Sequence, residues 1–581
     1  MKLKYIFLIG FAALTLLSCK TKQTKSTSQL VPKEHQYTKA ELEFSARLID
    51  AVKEKNIGNL DEAEKMLSEL HRKSPENHAV SYQLANVKLL QGKTIEAISM
   101  AELALKESSD NQWYLNLLGD LYMKTAEYAK AYDIWTRLLK KYPDQQEYYY
   151  NLVISCVYQG KWEEAAKTYD LLEKKNGVSE ELALAKQRIW LHLKKVDKAV
   201  AEIQKLADLY PRESRYYLMI GDLYMEQKMP EEAKKQYDKA LKADSTNPYI
   251  YSSLAEYYRK NGERDKSFEN LKMAFKNPKM DIDTKIKVML SYYSITEVHG
   301  ELLEDAFTLS KLMIDAHPQE PKAWSMYGDF LIRDKKYEEA RTAFIKVLEV
   351  DKSKYIIWEQ LLMILSYEED IDNMLKYSTE ALDYFPSQPY LFMIKGIAHY
   401  QLGEYENALK AFEFGRNMLI SNDETALNIW IYLGETYNKL KNYPKSDDAF
   451  DRALRMNPKN VYILNNYCYY LALRNENIDK ALEMGERLNK LELYNASYQD
   501  TYGWVLYRAE RYEEAKKWLE KSIANGGDAN PTILEHYGDI LWKLGEVDQA
   551  VIQWEKAMEE GGFSETLEQK IKEQKGKKVT E

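Results

Sequence analysis

The sequence predicts an all-α solenoid, a linear stack of helix pairs, and three observations predict it. Small residues return at a step of 34: Ala63, Ala97, Ala131, Ala165, Ala199, Ala233 and Ser267. A second run, Ala306, Ala340, Met374 and Ala408, keeps that step, and a third, Ser446, Ala481, Ala515 and Ala550, drifts by a few residues. A fixed period of this size marks a repeat array rather than a set of globular domains. Only 14 prolines and 23 glycines punctuate 581 residues, so helices run with few interruptions. Tyrosine outnumbers phenylalanine by 46 to 14. That suits a structure with much surface per core, because a tyrosine ring packs while its hydroxyl stays wet.

The chain opens with MKLKYIFLIGFAALTLLSC. Lys2 and Lys4 give a positive start, and Tyr5 to Leu17 give an apolar stretch too short to span a bilayer comfortably. It closes on Leu16-Leu17-Ser18-Cys19, which resembles the lipobox of bacterial lipoproteins. The resemblance implies that residues 1–19 are a signal peptide ending at the cysteine, and that Cys19 is acylated and becomes the new N-terminus. Several acyl chains anchor firmly, since each buried methylene contributes roughly 0.8 kcal/mol. Residues 20–43 read as a flexible, polar tether. Lys20 stands where an aspartate retains enterobacterial lipoproteins in the inner membrane, so the resemblance favours the outer membrane. The Lys-, Glu-, Asn- and Tyr-rich composition resembles that of Bacteroidetes proteins. The tether lacks the acidic run of their surface-exported lipoproteins. The expectation is an outer-membrane lipoprotein facing the periplasm, with the cell surface as the alternative.

The body follows in units. The third carries Leu115, Leu118, Gly119 and Tyr122 on one helix and Ala131 and Trp135 on the next, and Pro143 ends it. The sixth repeats this with Ile220, Gly221, Tyr224, Ala233 and Tyr237, the ninth with Trp324, Tyr327, Gly328, Ala340 and Phe344. The twelfth has Trp430, Gly434, Tyr437, Phe450 and Pro458, and the last Leu534, Tyr537, Gly538, Ala550 and Trp554. This pattern resembles the tetratricopeptide-repeat family over residues 44–563, with about fifteen units. The resemblance implies a right-handed superhelix of helix-turn-helix units. Gly119 and its equivalents sit where the two helices of a unit cross; Ala85 and Ala255 take that place elsewhere, so glycine-to-alanine is expected to be mild. Prolines 75, 143, 211, 318, 386 and 458 fall between units, where a helix must stop.

The pattern weakens in three places. Gln187 stands where a small residue is expected. The step from Ser267 to Ala306 is five residues over, which implies a longer first helix or an extra turn, and the step from Ala408 to Ser446 is four over. The first break divides the expected array into residues 44–280 and 281–563, although a longer loop would serve equally. Residues 564–581 begin with Leu567 and Ile571 at helical spacing and read as a capping helix with a frayed tail.

A search for chemistry finds no catalytic, cofactor or metal motif, and the expectation is a chain that is not an enzyme. The eight histidines are scattered without ligand spacing. Gly92-Lys93-Thr94 ends like a phosphate loop, but Val87 occupies the place of the glycine that such a loop needs. Cys156 and Cys468 read as buried thiols. A net charge of −9 gives no basic footprint for nucleic acid. Asp244-Ser245-Thr246 matches the short acceptor for O-glycosylation in Bacteroidetes, or else a polar turn.

In the family, the first helix of each unit lines a concave groove. The resemblance places Asp120, Asp222, Glu256, Asp329, Glu435 and Asp539 there, one position beyond the packing glycine or alanine. Family members that clamp a C-terminal carboxylate use Asn and Lys; carboxylates here exclude that ligand and favour basic segments, or else form a solvated surface. Towards the C-terminus Tyr469, Trp504, Tyr507 and Trp542 occupy the same face, as anchors for an apolar partner group or as packing between helices. The expected function is a membrane-anchored protein-interaction scaffold of the bacterial envelope, serving a machine such as secretion, gliding or outer-membrane assembly. A self-associating structural lipoprotein is the alternative.

Overall fold

The computed structural model describes residues 38–296, 299–420, 423–562 and 565–578. The expected signal peptide, Cys19 and residues 20–37 of the expected tether lie outside the described residues. Among the described residues the chain forms thirty-one α-helices and two short 3-10 turns, with no strand. The all-α solenoid class is therefore correct. The first helix, Lys39–Asn56, begins inside the expected tether because Thr38 and Glu41 form a reciprocal capping box.

Most helices are 13 or 14 residues long, about 20 Å at 1.5 Å per residue. They pair as sequence neighbours. In the third unit, Gln112–Lys124 packs on Tyr128–Lys141. First helices often start at a side-chain cap: Asn111 Oδ1 accepts from Trp113 N at 3.0 Å, and Asn77, Asn247, Asn460, Asn495 and Asn530 cap in the same way. In most units the turn passes through a left-handed residue. Six units use glycine there, such as Gly160 at φ +73, but Ala126, Lys194, Lys335, Glu369 and others take it at φ near +60. At Lys335 the turn closes with Lys336 N donating to Leu331 O at 2.9 Å, which satisfies a carbonyl at the helix end.

The packing glycines hold large partners. A Cβ on Gly119 would lie 2.6 Å from the Trp135 ring; on Gly328 and Gly434, 2.8 Å from Phe344 and Phe450; on Gly538, 2.5 Å from Trp554. Each partner is sixteen residues on. Where Ala85 and Ala255 stand instead, the residues sixteen on are Ala101 and Leu271, both buried. Volume is thus traded within each crossing, and the expectation that glycine-to-alanine is mild fails at the aromatic crossings.

Packing divides the described residues into two compact units, one running to Leu223 and the other starting at Tyr224. In the first, a continuous core runs from Ala85 through Trp135 and Tyr148 to Ala199. Beside Gln187, the ammonium of Lys186 is fully buried against Asp170, Glu173 and Glu202. The second unit contains the break that opens near residue 280. Helix Ile282–Thr296 is 15 residues long and a 3-10 turn, Gly300–Leu302, follows it. The four-residue excess after Ala408 goes into helix Glu424–Lys439, 16 residues long, and the segment before it. Helix Glu565–Lys578 closes the unit with Leu567 and Ile571 buried.

Candidate protein-docking face

First helices present one side to their partner helix and another outward, because the 3.6-residue period separates the two faces. The residue after each packing glycine or alanine falls on the outward side. Asp120, in the first unit, keeps solvent contact, yet burial and then the neighbouring charge of Glu147 push its carboxyl up to about 6. Asp222 is exposed on helix Ser214–Glu226.

In the second unit the acids meet different fates. Glu256 is half-buried, and Arg259 grips it with two bonds of 2.7 Å, holding its carboxyl below the usual range. Beside it opens a cavity of about 600 Å³, walled by Ala255, Leu271, Val288, Tyr292 and Ile295 at the array break. Asp329 is half-buried, and burial pushes its carboxyl up to about 6 against the opposing pull of Gln360 and Arg333. Glu435 is not solvated: it is 2% exposed and accepts from Asn466 Nδ2 at 2.9 Å, Tyr470 OH at 2.5 Å and Tyr462 OH at 3.3 Å. It ties two successive first helices together. Asp539 accepts from Lys570 Nζ at 2.6 and 2.7 Å and from Trp554 Nε1 at 3.0 Å, so the closing helix already occupies it.

The C-terminal aromatics mostly pack on each other. Trp504 stacks on His536 at 4.0 Å and on Tyr507 at 4.7 Å, and Tyr469 lies 6.3 Å from the same imidazole. Asp500 fixes His536 through Nδ1 at 2.9 Å. Tyr469 and Trp504 thus meet a ring of another first helix, while Tyr507 stacks on Trp504 of its own helix, and all three are half-buried. Trp542 alone of the four stays 41% exposed. Other large apolar side chains exposed on first helices, among them Trp113, Ile154, Tyr158, Ile356, Met363 and Tyr367, were missed by the sequence reading. The spacing of Met363 from Asp329, 34 residues, was the signal that could have found one of them.

The buried thiols are as expected. Burial pushes Cys156 up to about 11 and Cys468 up to about 12, so neither is poised as a nucleophile. No group of acids, histidines and cysteines among the described residues is arranged to hold a metal ion. No helix among them is long and apolar enough to cross a membrane.

Three family models, each described as tetratricopeptide repeat, match residues 303–560, 88–155 and 214–247. The chain is a tetratricopeptide-repeat protein. It is similar to a TPR repeat-containing protein of Methanocaldococcus jannaschii, 25% identical over 40% of this chain and 49% of that one. It is also similar to the BBSome complex member BBS4 of Bos taurus, 23% identical over 57% of this chain and 62% of the relative. The tetratricopeptide chain thus spans about half to three fifths of the length of these two relatives. Among solved structures, one of Naa15/Naa10 bound to HypK-THB covers 89% of this chain and 75% of its own, at 14% identity and a TM-score of 0.34.

Proposed function

We propose that this protein is a lipid-anchored interaction scaffold of the bacterial envelope, held at the periplasmic face of the outer membrane and binding other proteins through its first-helix face. One observation carries the binding role. Stacked helix pairs that satisfy their own cores still leave large apolar side chains of first helices, such as Trp113, Tyr367 and Trp542, in contact with water. Apolar groups left in water beside acids are the ordinary preparation for a partner bearing apolar and basic groups. A relative that is a member of a multi-protein complex supports the same reading. The anchor rests on the sequence Leu16-Leu17-Ser18-Cys19.

Cross-linking in the native envelope followed by mass spectrometry tests the scaffold role. Partners recurring on peptides from first helices are expected; links confined to the second helices would overturn the docking face. The anchor is tested separately. Cys19→Ser should move the protein from the detergent phase to the aqueous phase and remove the mass of the acyl chains. An unchanged distribution and mass would refute lipidation.

A further inference from the structure

A constellation in the first compact unit recurs in the second, 209 residues on, with every member in register. Asp120 on helix Gln112–Lys124 corresponds to Asp329 on Pro321–Arg333. Ile154 and Tyr158 on Gln146–Tyr158 correspond to Met363 and Tyr367 on Tyr355–Tyr367. Tyr128, which opens the intervening second helix, corresponds to Tyr337.

The geometry recurs with the residues. The Tyr158 ring stacks on Tyr128 at 4.5 Å, and the Tyr367 ring leans on Tyr337 at 4.7 Å. Each tyrosine keeps its other side in water, at 64% and 71% exposure, and Ile154 and Met363 beside them are 41% and 45% exposed. Ring-on-ring contact holds the tyrosine in place, so an incoming apolar group meets a preorganised wall. Each aspartate feels the next first helix, though in opposite senses: Glu147 repels the Asp120 carboxylate, while Gln360 favours that of Asp329. A second carboxylate joins each patch from outside this register, since Glu147 aligns with Ile356 and Glu359 with Tyr150: exposed Glu147 in one, and half-buried Glu359 near Tyr355 and Tyr390 in the other. Lys124 and Arg333 recur at the same offset, but Arg333 is already committed to Thr296 Oγ1 at 2.8 Å and to the Tyr293 ring. Each patch therefore offers two carboxylates, an aliphatic side chain and an aromatic wall. Among the described residues no other first helix ends in an exposed tyrosine.

We propose that the two patches are equivalent docking sites, one in each compact unit, for protein segments that carry a Lys or Arg next to an aliphatic or aromatic side chain. The inference rests on the protein-binding reading above and moves the anchor from the C-terminal tryptophans to Ile154–Tyr158 and Met363–Tyr367. The carboxylates match the cation, and the tyrosine with its aliphatic neighbour matches the apolar side chain.

The probes are three pools of short synthetic peptides: Lys/Arg beside Leu/Phe, Glu beside Leu/Phe, and Lys/Arg beside Ser. Only the first pool should bind, and its tightest member should titrate by calorimetry with two equivalents per chain. Ile154→Ser with Tyr158→Ser should leave one equivalent, as should Met363→Ser with Tyr367→Ser, and all four changes should leave none. These side chains are solvent-exposed, so melting temperatures should stay near the parent's and confirm folding. Asp329→Asn should weaken the second site about tenfold at low salt and less at high salt. Binding of the acidic pool, a single equivalent, or two equivalents that survive all four changes would overturn the proposal. So would self-association abolished by the same changes, which would make a second copy the occupant. Failure of every pool also sinks it, while the scaffold reading is judged independently by the envelope cross-links.

Discussion

At the residue scale, the crossings are decided by paired volumes. Gly328 has its place because Phe344 fills the space that a methyl group would take, 2.8 Å from the ring. Gly328→Ala should cost about 1–3 kcal/mol, the range for overpacking a tight core. Adding Phe344→Leu should recover most of that, because the pair then copies the natural Ala255 and Leu271 crossing. Denaturant midpoints of the two single variants and the double variant check this, and strict additivity would refute it. A second residue is buried at odds with its charge. Lys285 is 0% exposed and its Nζ donates to Phe275 O at 2.6 Å and Asn277 O at 3.0 Å, closing the end of helix Arg264–Lys276. Burial lowers its ammonium to about 8 from an ordinary 10.5. Between those values the unfolded chain binds the proton and the folded chain does not, so this group's contribution to stability rises with pH across that window. Below about 8 the cost of burying the charge is present in full. The parent should therefore gain stability relative to Lys285→Met as pH climbs from 8 to 10, measured as the difference between their denaturant midpoints. A difference independent of pH would show that the carbonyls hold the charge at no cost.

At the element scale, the turn inside each unit carries strain that its length does not reveal. The left-handed seat is taken by glycine at Gly160 and Gly403, but by Lys335 at φ +59 and Glu510 at φ +59. An L-residue in that region costs about 1–2 kcal/mol, partly offset because glycine is freer in the unfolded chain. Lys335→Gly should thus stabilise by about 0.5–1 kcal/mol and Gly545→Ala should destabilise by a similar amount, both read from thermal melts. Loss of stability in Lys335→Gly would mean that the lysine side chain contributes more than the backbone strain costs. These seats were legible only in part. Gly92, Gly160 and Gly403 mark the turn in the sequence, whereas Ala126, Lys194 and Glu369 give no sign, because the conformation is imposed by the two helices and not chosen by the residue.

At the scale of the whole molecule, the array ends by covering its last pair. Leu567 and Ile571 of the closing helix are buried against a core that includes Leu541 and Trp554, and Lys570 pairs with Asp539. A repeat array is stable through its neighbours, so its last pair depends on that cover. Deleting residues 564–581 should cost about 3–5 kcal/mol locally, the burial of two aliphatic side chains. Amide exchange should then speed up in helices Pro531–Lys543 and Val547–Glu559 and stay unchanged in the first compact unit. Uniform exchange in both forms would show the helix to be an ornament.

The sequence by itself determined the class, the period, the crossings and the cap, because each of these is a local volume or spacing repeated often enough to read. It also carries Leu16-Leu17-Ser18-Cys19, on which the proposed anchor rests and which lies outside the described residues. Only the tertiary structure decided which outward residues are free. Glu435 and Trp504 occupy the same repeat position as Asp329 and Met363, yet Glu435 is sealed by Tyr462, Asn466 and Tyr470, and Trp504 by His536 and Tyr507. Ile154, Tyr158, Met363 and Tyr367 remain in water. A repeat position fixes the direction in which a side chain leaves its helix. How closely the next first helix approaches fixes whether anything can reach it, and that distance is set by the side chains of two neighbouring units acting together.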